Sequence, residues 1–345
     1  AARSKDRVEA MASELGGLES AVADVGQAAS VRALVEAGDV LLSTVGPFVR
    51  WGDPAAEAAV EAGAHYVDST GEPAFIRRIF EEYGPRAAAA GCGMLTAFGY
   101  DYVPGNLAGG LALRQAGERA ARVDVAYSTT GKPSEPIEGS RLAKLAGGMG
   151  GASGGTLSSA LGVFAEPSFS FRDGRIVTER GAKRVGSVAG LQGISVGGSE
   201  HFALPRLAPA VREVNAYLGW FGPFSRVVQV TAVLNAGLLS VPGGKRLLTG
   251  MAERVPGSTG GPSAEARAQT GSRVAATAYD ASGAELSTVT LEGVNGYTFT
   301  GESLAWAAMT AAAGGLQGAG ALGPVDGFGL DPLVEGVESA GLRVR

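Results

Sequence analysis

Apolar positions along the first third of the chain switch repeatedly between two periods, and the switching lays out a fold. "KDRVEAMASEL" has apolar residues three and four apart, the spacing of a helix with one buried face. "LESAVADV" reads as a short strand, "QAASVRALVEAG" as a helix closed by Gly38, and "DVLLSTV" as a buried strand. The cycle then repeats. "DPAAEAAVEAG" carries Pro54 in its first turn and Gly63 at its end, "HYVDST" is a strand, "PAFIRRIFEEYGPRAAAAG" is one helix or two broken at Gly84 and Pro85, and "GMLTAF" is another strand. Strands separated by helices of this length connect in parallel, so the pattern predicts an α/β fold with a doubly wound sheet that binds ligands beyond the carboxyl ends of its strands.

Near residue 121 the rhythm changes. "ARVDVAYSTTG" reads as a strand entering a second region, and a Gly and Ser-rich stretch, "GGMGGASGGTLSSAL", leads into a helix. "FSFRDGRIVTER" and "TAYDASGAELSTVTL" read as hairpins turning at Asp173 and Gly174 and at Ser282 and Gly283, which predicts an inserted α+β region with mixed or antiparallel sheet. Between them, residues 217 to 251 are the most apolar part of the chain, interrupted by Arg226, Gln229 and Asn235. A buried helix pair, a dimer surface, or a face for a lipid-like substrate or a membrane are all consistent with that stretch. "GESLAWAAMTAAAGG" restores helical spacing and packs back on the first region. The expected division is 1–121, 122–298 and 299–345.

Composition narrows the function. The 55 glycines in 345 residues are about twice the ordinary share, partly the mark of a GC-rich coding sequence and partly of turns and close backbone approaches. A net charge of -5 with no basic tract argues against nucleic acid as a partner. A single cysteine, Cys92, excludes an intrachain disulfide framework and multi-cysteine zinc sites; it reads as a buried thiol in a reducing cytoplasm, and no metal site is expected. No signal peptide is seen, and no uninterrupted apolar run reaches the roughly 18 residues of a transmembrane helix.

Two motif matches are decoys. "GAGALG", residues 318 to 323, satisfies G-x-G-x-x-G, but a helix precedes it and Pro324 follows, so it reads as a loop. "GASGG", residues 151 to 155, satisfies the nucleophile elbow and makes a serine hydrolase built on Ser153 and His201 an alternative; a flexible glycine loop is the plainer reading. The strand ends carry more. "LLSTVGPF" ends in Ser43, Thr44, Gly46 and Pro47, "HYVDSTGE" in Asp68 and small polar residues, and "LTAFGYDYVPGN" in Gly99, Tyr100 and Asp101. Helix capping explains any one of these alone. Three consecutive ends of this kind point to a shared cofactor cleft.

At these residues the sequence resembles the saccharopine dehydrogenase-like oxidoreductases, a group that includes the trans-acting enoyl reductases; "LLSTVGPF", "AGAHYVDSTGE", "FGYDYVPGNLA", "SGGT" and "GALGPVDGFG" carry the likeness. The resemblance implies a Rossmann-type domain for NADP, interrupted by a mixed-sheet domain for substrate and homodimer contacts. It also implies that a first strand, glycine-rich turn and helix, about 25 to 35 residues, stand before "AARS" and are missing here. Arg3 and Ser4 then fall where the adenosine 2′-phosphate would sit, and Asp24 lies near the adenine. Ser43, Thr44, Gly46 and Pro47 run along the ribose and nicotinamide, with Asp68 and Gly99 at the neighbouring strand ends. Tyr100 and Asp101 are the expected proton donors or orienting groups, with His201 reaching in from the second region. The acceptor is a small or lipid-like molecule, for example an enoyl group. A non-catalytic scaffold on a Rossmann frame is the remaining alternative.

Overall fold

The computed structural model describes residues 1–131, 167–219, 226, 229 and 261–345. Two sheets organise them. The first is parallel, with strands in the order β1 (Val40–Ser43), β2 (His65–Asp68), β3 (Gly93–Leu95) and β12 (Gly320–Ala321). Its crossover helices end as the sequence predicts: α4 (Asp53–Ala62) stops at Gly63 and α6 (Gly84–Ala90) at Gly91, both left-handed with φ 72°. On α4 the buried face is Ala55, Ala56, Ala58, Ala59 and Val60, small side chains that let the helix lie close to the sheet.

Of the two readings for residues 73–90, one helix or two broken at Gly84 and Pro85, the continuous one is found. Helix α5 (Pro73–Arg78) runs through a π-helical turn, Ile79–Tyr83, directly into α6. The wider turn accommodates the missing Pro85 N–H while Ile79, Phe80 and Tyr83 stay buried. "GAGALG" is also not simply a loop. Gly320 takes φ 94° and sets β12 beside β3, where an added Cβ would stand 3.1 Å from the Gly84 carbonyl oxygen.

The amino-terminal corner is thinner than its pattern suggests. Helix α1 (Lys5–Glu14) forms, yet none of its residues is buried, and "LESAVADV" contributes a single parallel bridge between Ala2 and Val22. This corner lies outside the four-stranded sheet.

The second sheet has nine strands: β13 (Leu342–Val344), β11 (Glu285–Gly293), β10 (Thr270–Tyr279), β4 (Arg122–Gly131), β9 (Glu213–Leu218), β5 (Pro167–Arg172) and β6 (Arg175–Arg180) in spatial order, with the hairpin β7 (Val185–Val188) and β8 (Leu191–Ser195) attached through β9. Among the described residues its one parallel pair is β4 with β9; both predicted hairpins are present as β5–β6 and β10–β11. Helix α7 (Val103–Ala116) joins the sheets, leaving the tip of β3 and packing across β10, β11 and β4. The carboxyl-terminal segment serves both: β12 lies beside β3, while β13 pairs with β11. Phe98, Trp306 and Phe328 pack together in the core that they share. Among the described residues no helix is long and apolar enough to cross a membrane.

Candidate active site

Parallel pairing without slippage brings the three strand tips together. Ser43 stands opposite Asp68, Val67 opposite Leu95, and the Phe98 N–H donates to the Asp68 carbonyl oxygen at 2.7 Å. Two carboxylates then tie the loops beyond the tips. Glu72, after β2, accepts from the N–H groups of Phe48 and Val49 at 2.8 and 2.9 Å, which fixes the short helix α3 (Phe48–Trp51) that follows the cis Gly46–Pro47 peptide. Asp68 accepts from the Thr70 and Ala97 N–H groups and from the Thr96 hydroxyl at 2.8 to 2.9 Å. The result is a floor with Thr44, Val45, Gly46 and Pro47 exposed along one side and Ser69 and Gly71 half-buried beside them.

The sequence reading is corrected at four places. Asp68 is fully buried and spends its carboxylate inside the protein, so it shapes the floor and offers a ligand nothing; burial raises it to about 6 against those hydrogen bonds. Gly99 is packed against Thr300, 3.0 Å from where its Cβ would stand. The Tyr100 hydroxyl points out of the cleft and donates to the Ser128 carbonyl at 2.8 Å, while its N–H is held by Thr300. His201 is enclosed, its ring edge-on to Phe169 at 5.6 Å and its Nδ1 on the Gly198 backbone; burial lowers it to about 4, a neutral imidazole with no route to a substrate. The serine hydrolase alternative thereby loses its base, and Ser153 lies outside the described residues.

Asp101 remains at the mouth. It is half-buried, its Oδ1 is shut off from solvent without a hydrogen-bond partner, and burial pushes its carboxyl up to about 7. Its loop is strained where it must turn into α7: Tyr102 has φ 110°, held by Asn106, whose Nδ2 donates to the Tyr102 carbonyl and to Ser199 Oγ, both at 2.9 Å. Behind Tyr102 stand two residues the sequence reading missed. Tyr127 on β4 donates its hydroxyl to Glu200, the first residue of the helix Glu200–Leu207. Glu200 is fully buried; desolvation raises it to about 8, partly opposed by the Tyr127 hydrogen bond. Its neighbour His201 had the more familiar chemistry, and nothing local marked Glu200, because its partner lies 73 residues away.

The remaining candidates split into two groups. Ser43, Thr44, Gly46 and Pro47 sit at the floor with Asp101. Arg3, Ser4 and Asp24 gather at the separate amino-terminal corner, where the Ala2–Val22 bridge sets the start of α1 beside Asp24; Arg3 and Ser4 are exposed, and the Ser4 hydroxyl makes no capping bond.

Such a floor suits a flat dinucleotide. Thr44, Gly46 and Gly71 keep bulk away from the backbone. Parallel sheet, tip cleft and inserted mixed sheet define a Rossmann-type protein with a second sheet domain. No family model matches the chain. It matches the trans-acting enoyl reductase of Mycobacterium ulcerans at 38% identity over 111 residues, 31% of this chain and 27% of that protein. A putative trans-acting enoyl reductase of Mycobacterium tuberculosis H37Rv is 34% identical over 174 residues, 49% of this chain and 38% of that protein. These matches therefore span less than half the length of the curated relatives. Among solved structures, saccharopine dehydrogenase (L-Glu forming) of Saccharomyces cerevisiae aligns over 100% of this chain and 92% of its own, at TM-score 0.56 and 13% identity. Homospermidine synthase of Legionella pneumophila in complex with NAD aligns over 91% and 77%, at TM-score 0.58 and 10% identity. In fold the chain is similar to saccharopine dehydrogenase and homospermidine synthase, and part of its sequence is similar to the trans-acting enoyl reductases.

Proposed function

We propose that the protein is an NADP(H)-dependent oxidoreductase that reduces an enoyl group on a lipid-like acceptor. The observation that carries this is the convergence of three parallel strand tips on a floor of small residues, with the carboxyl of Asp101, whose Oδ1 has no hydrogen-bond partner, at its mouth. The names of the sequence relatives and the NAD in the homospermidine synthase complex support the choice of chemistry.

The nicotinamide would lie along Thr44, Gly46 and Pro47 and would supply the hydride. Asp101 in its neutral form holds the other hydrogen. Asp101 would give that proton to the alkene carbon nearer the carbonyl of the acceptor, and the carboxylate left behind would be recharged from water. Arg3 and Ser4, at the exposed start of α1, would meet a 2′-phosphate through the guanidinium, the hydroxyl and the first-turn N–H groups. A homodimer through the nine-stranded sheet belongs to the same reading; the apolar stretch behind the idea of membrane contact lies mostly outside the described residues.

The test is fluorescence titration of the full-length gene product with NADPH and NADH, followed by reduction of an enoyl thioester. Arg3→Ala should weaken NADPH binding about tenfold, the loss of roughly one charge-assisted contact, and leave NADH unchanged. Equal effects on both cofactors would remove Arg3 from the 2′-phosphate, and binding of neither would remove the function.

A further inference from the structure

Asp101 owes its place to a turn that a tyrosine does not adopt cheaply. Tyr102 has φ 110°, and two short-range bonds close the turn around it: Tyr102 N–H to the Tyr100 carbonyl and Val103 N–H to the Gly99 carbonyl, each 3.1 Å. One side chain holds this arrangement. The Tyr102 carbonyl accepts twice from Asn106, from its N–H and from its Nδ2, both at 2.9 Å, and Nδ2 also donates to Ser199 Oγ at 2.9 Å. Asn106 and Ser199 are both fully buried. Because a carbonyl oxygen only accepts, the amide must turn its NH₂ toward Tyr102, and both hydrogens of that NH₂ are then in use.

Ser199 belongs neither to the loop nor to α7. It precedes the helix Glu200–Leu207 of the second sheet region, which lies on α7 at the seam between the sheets. The fit there is close. A Cβ on Gly105 would overlap the Tyr127 hydroxyl, and one on Gly109, a turn further along α7, would stand 2.6 Å from Leu204 Cδ1. Glycine at these two positions lets the elements approach, and that approach brings the Ser199 hydroxyl to Asn106. We propose that Asn106 is a positioning residue, and that with Ser199 it forms a clamp through which docking of the second sheet region sets where the Asp101 carboxyl stands.

The φ of Tyr102 fixes the angle between α7 and the chain that carries Asp101. In the present turn Asp101 Oδ2 lies 3.9 Å from where a Cβ on Gly71 would stand, beside the floor. Relaxing Tyr102 to an ordinary negative φ would swing Asp101 off that position, and the clamp is what opposes the relaxation. Its two ends are unequal. Without the Ser199 hydroxyl, Asn106 keeps its bonds to Tyr102; without the Asn106 amide, both Nδ2 bonds are lost. The catalytic consequence rests on Asp101 as the proton donor, whereas the clamp itself does not.

Hydrogen exchange of the ligand-free protein, followed by mass spectrometry, tests the clamp without cofactor or acceptor. In Asn106→Leu, close to asparagine in shape but without the donors, peptides covering residues 99–103 should exchange about tenfold faster than in wild type, while residues 107–116 of α7 keep their protection. Ser199→Ala should change the same peptides in the same direction by less, and it carries the test if Asn106→Leu does not fold. Unchanged exchange at residues 99–103, or protection lost equally along α7, would overturn the clamp. With NADPH and an enoyl thioester, the full-length gene product should lose about tenfold in kcat in Asn106→Leu and about threefold in Ser199→Ala, with KM and NADPH affinity held within about twofold. An unchanged kcat, or a loss that falls on KM alone, would overturn the positioning role. A wild-type protein without reductase activity whose variants still show the exchange pattern would count against the proposed function and leave the clamp standing.

Discussion

Replacing Asp68 separates the energetics of the tip floor from its chemistry. In Asp68→Ala three donors lose their acceptor in a fully buried site: the Thr70 and Ala97 N–H groups and the Thr96 hydroxyl. At about 1–3 kcal/mol for each stranded group, less what loop relaxation recovers, the loss should be about 3–5 kcal/mol. Asp68→Asn behaves otherwise. Its amide oxygen can keep both backbone bonds made to Oδ1, and the Thr96 hydroxyl can rotate to accept from the new NH₂. The sign with pH follows from the raised folded value, about 6 against an ordinary 3.8. Between these values the folded chain holds the proton more tightly than the unfolded chain, so the wild-type contribution falls as pH rises. Asparagine lacks this dependence, so Asp68→Asn should gain about 2 kcal/mol on wild type between about pH 4.5 and about pH 7.5. Urea denaturation followed by circular dichroism at the two pH values reads it directly. A difference between Asp68→Asn and wild type that is the same at both, or an asparagine variant as damaged as the alanine one, would refute the account of Asp68 as a buried internal staple.

Two further outcomes test neighbouring contacts. Tyr100→Phe removes the bond to the Ser128 carbonyl and should lower stability by about 1 kcal/mol while enoyl reduction stays within a few-fold of wild type; a collapse of kcat in a folded variant would return Tyr100 to the proton-donor role. Gly105→Ala improves helix propensity by about 1 kcal/mol, yet its Cβ would overlap the Tyr127 hydroxyl and stand 2.8 Å from Glu200 Oε1. Thermal unfolding should therefore show a net loss of about 2–3 kcal/mol, and a gain would mean the seam is looser than described.

The sequence by itself determined the order of elements and which strand ends come together. Alternation between helical spacing and short apolar runs defined β1 to β3 and their crossovers, because burial against a sheet repeats in the local pattern whatever the rest of the chain does. Asp173–Gly174 and Ser282–Gly283 announced the two hairpins through backbone geometry that few other residues take so readily. Small and polar residues at three strand ends foretold the floor. What the tertiary structure alone decided is which way each polar group faces. Asp68 and Asp101 are both acids at or just beyond a strand tip, but only the first finds three donors within the fold. His201 and Glu200 are adjacent, and helix packing sends the imidazole against Phe169 and the carboxyl to Tyr127. The two short terminal strands divide between the sheets in the same way, β12 beside β3 and β13 beside β11. In each case the deciding partner lies tens to hundreds of residues away, so its identity depends on how the sheets close on one another, information that no window of local pattern contains.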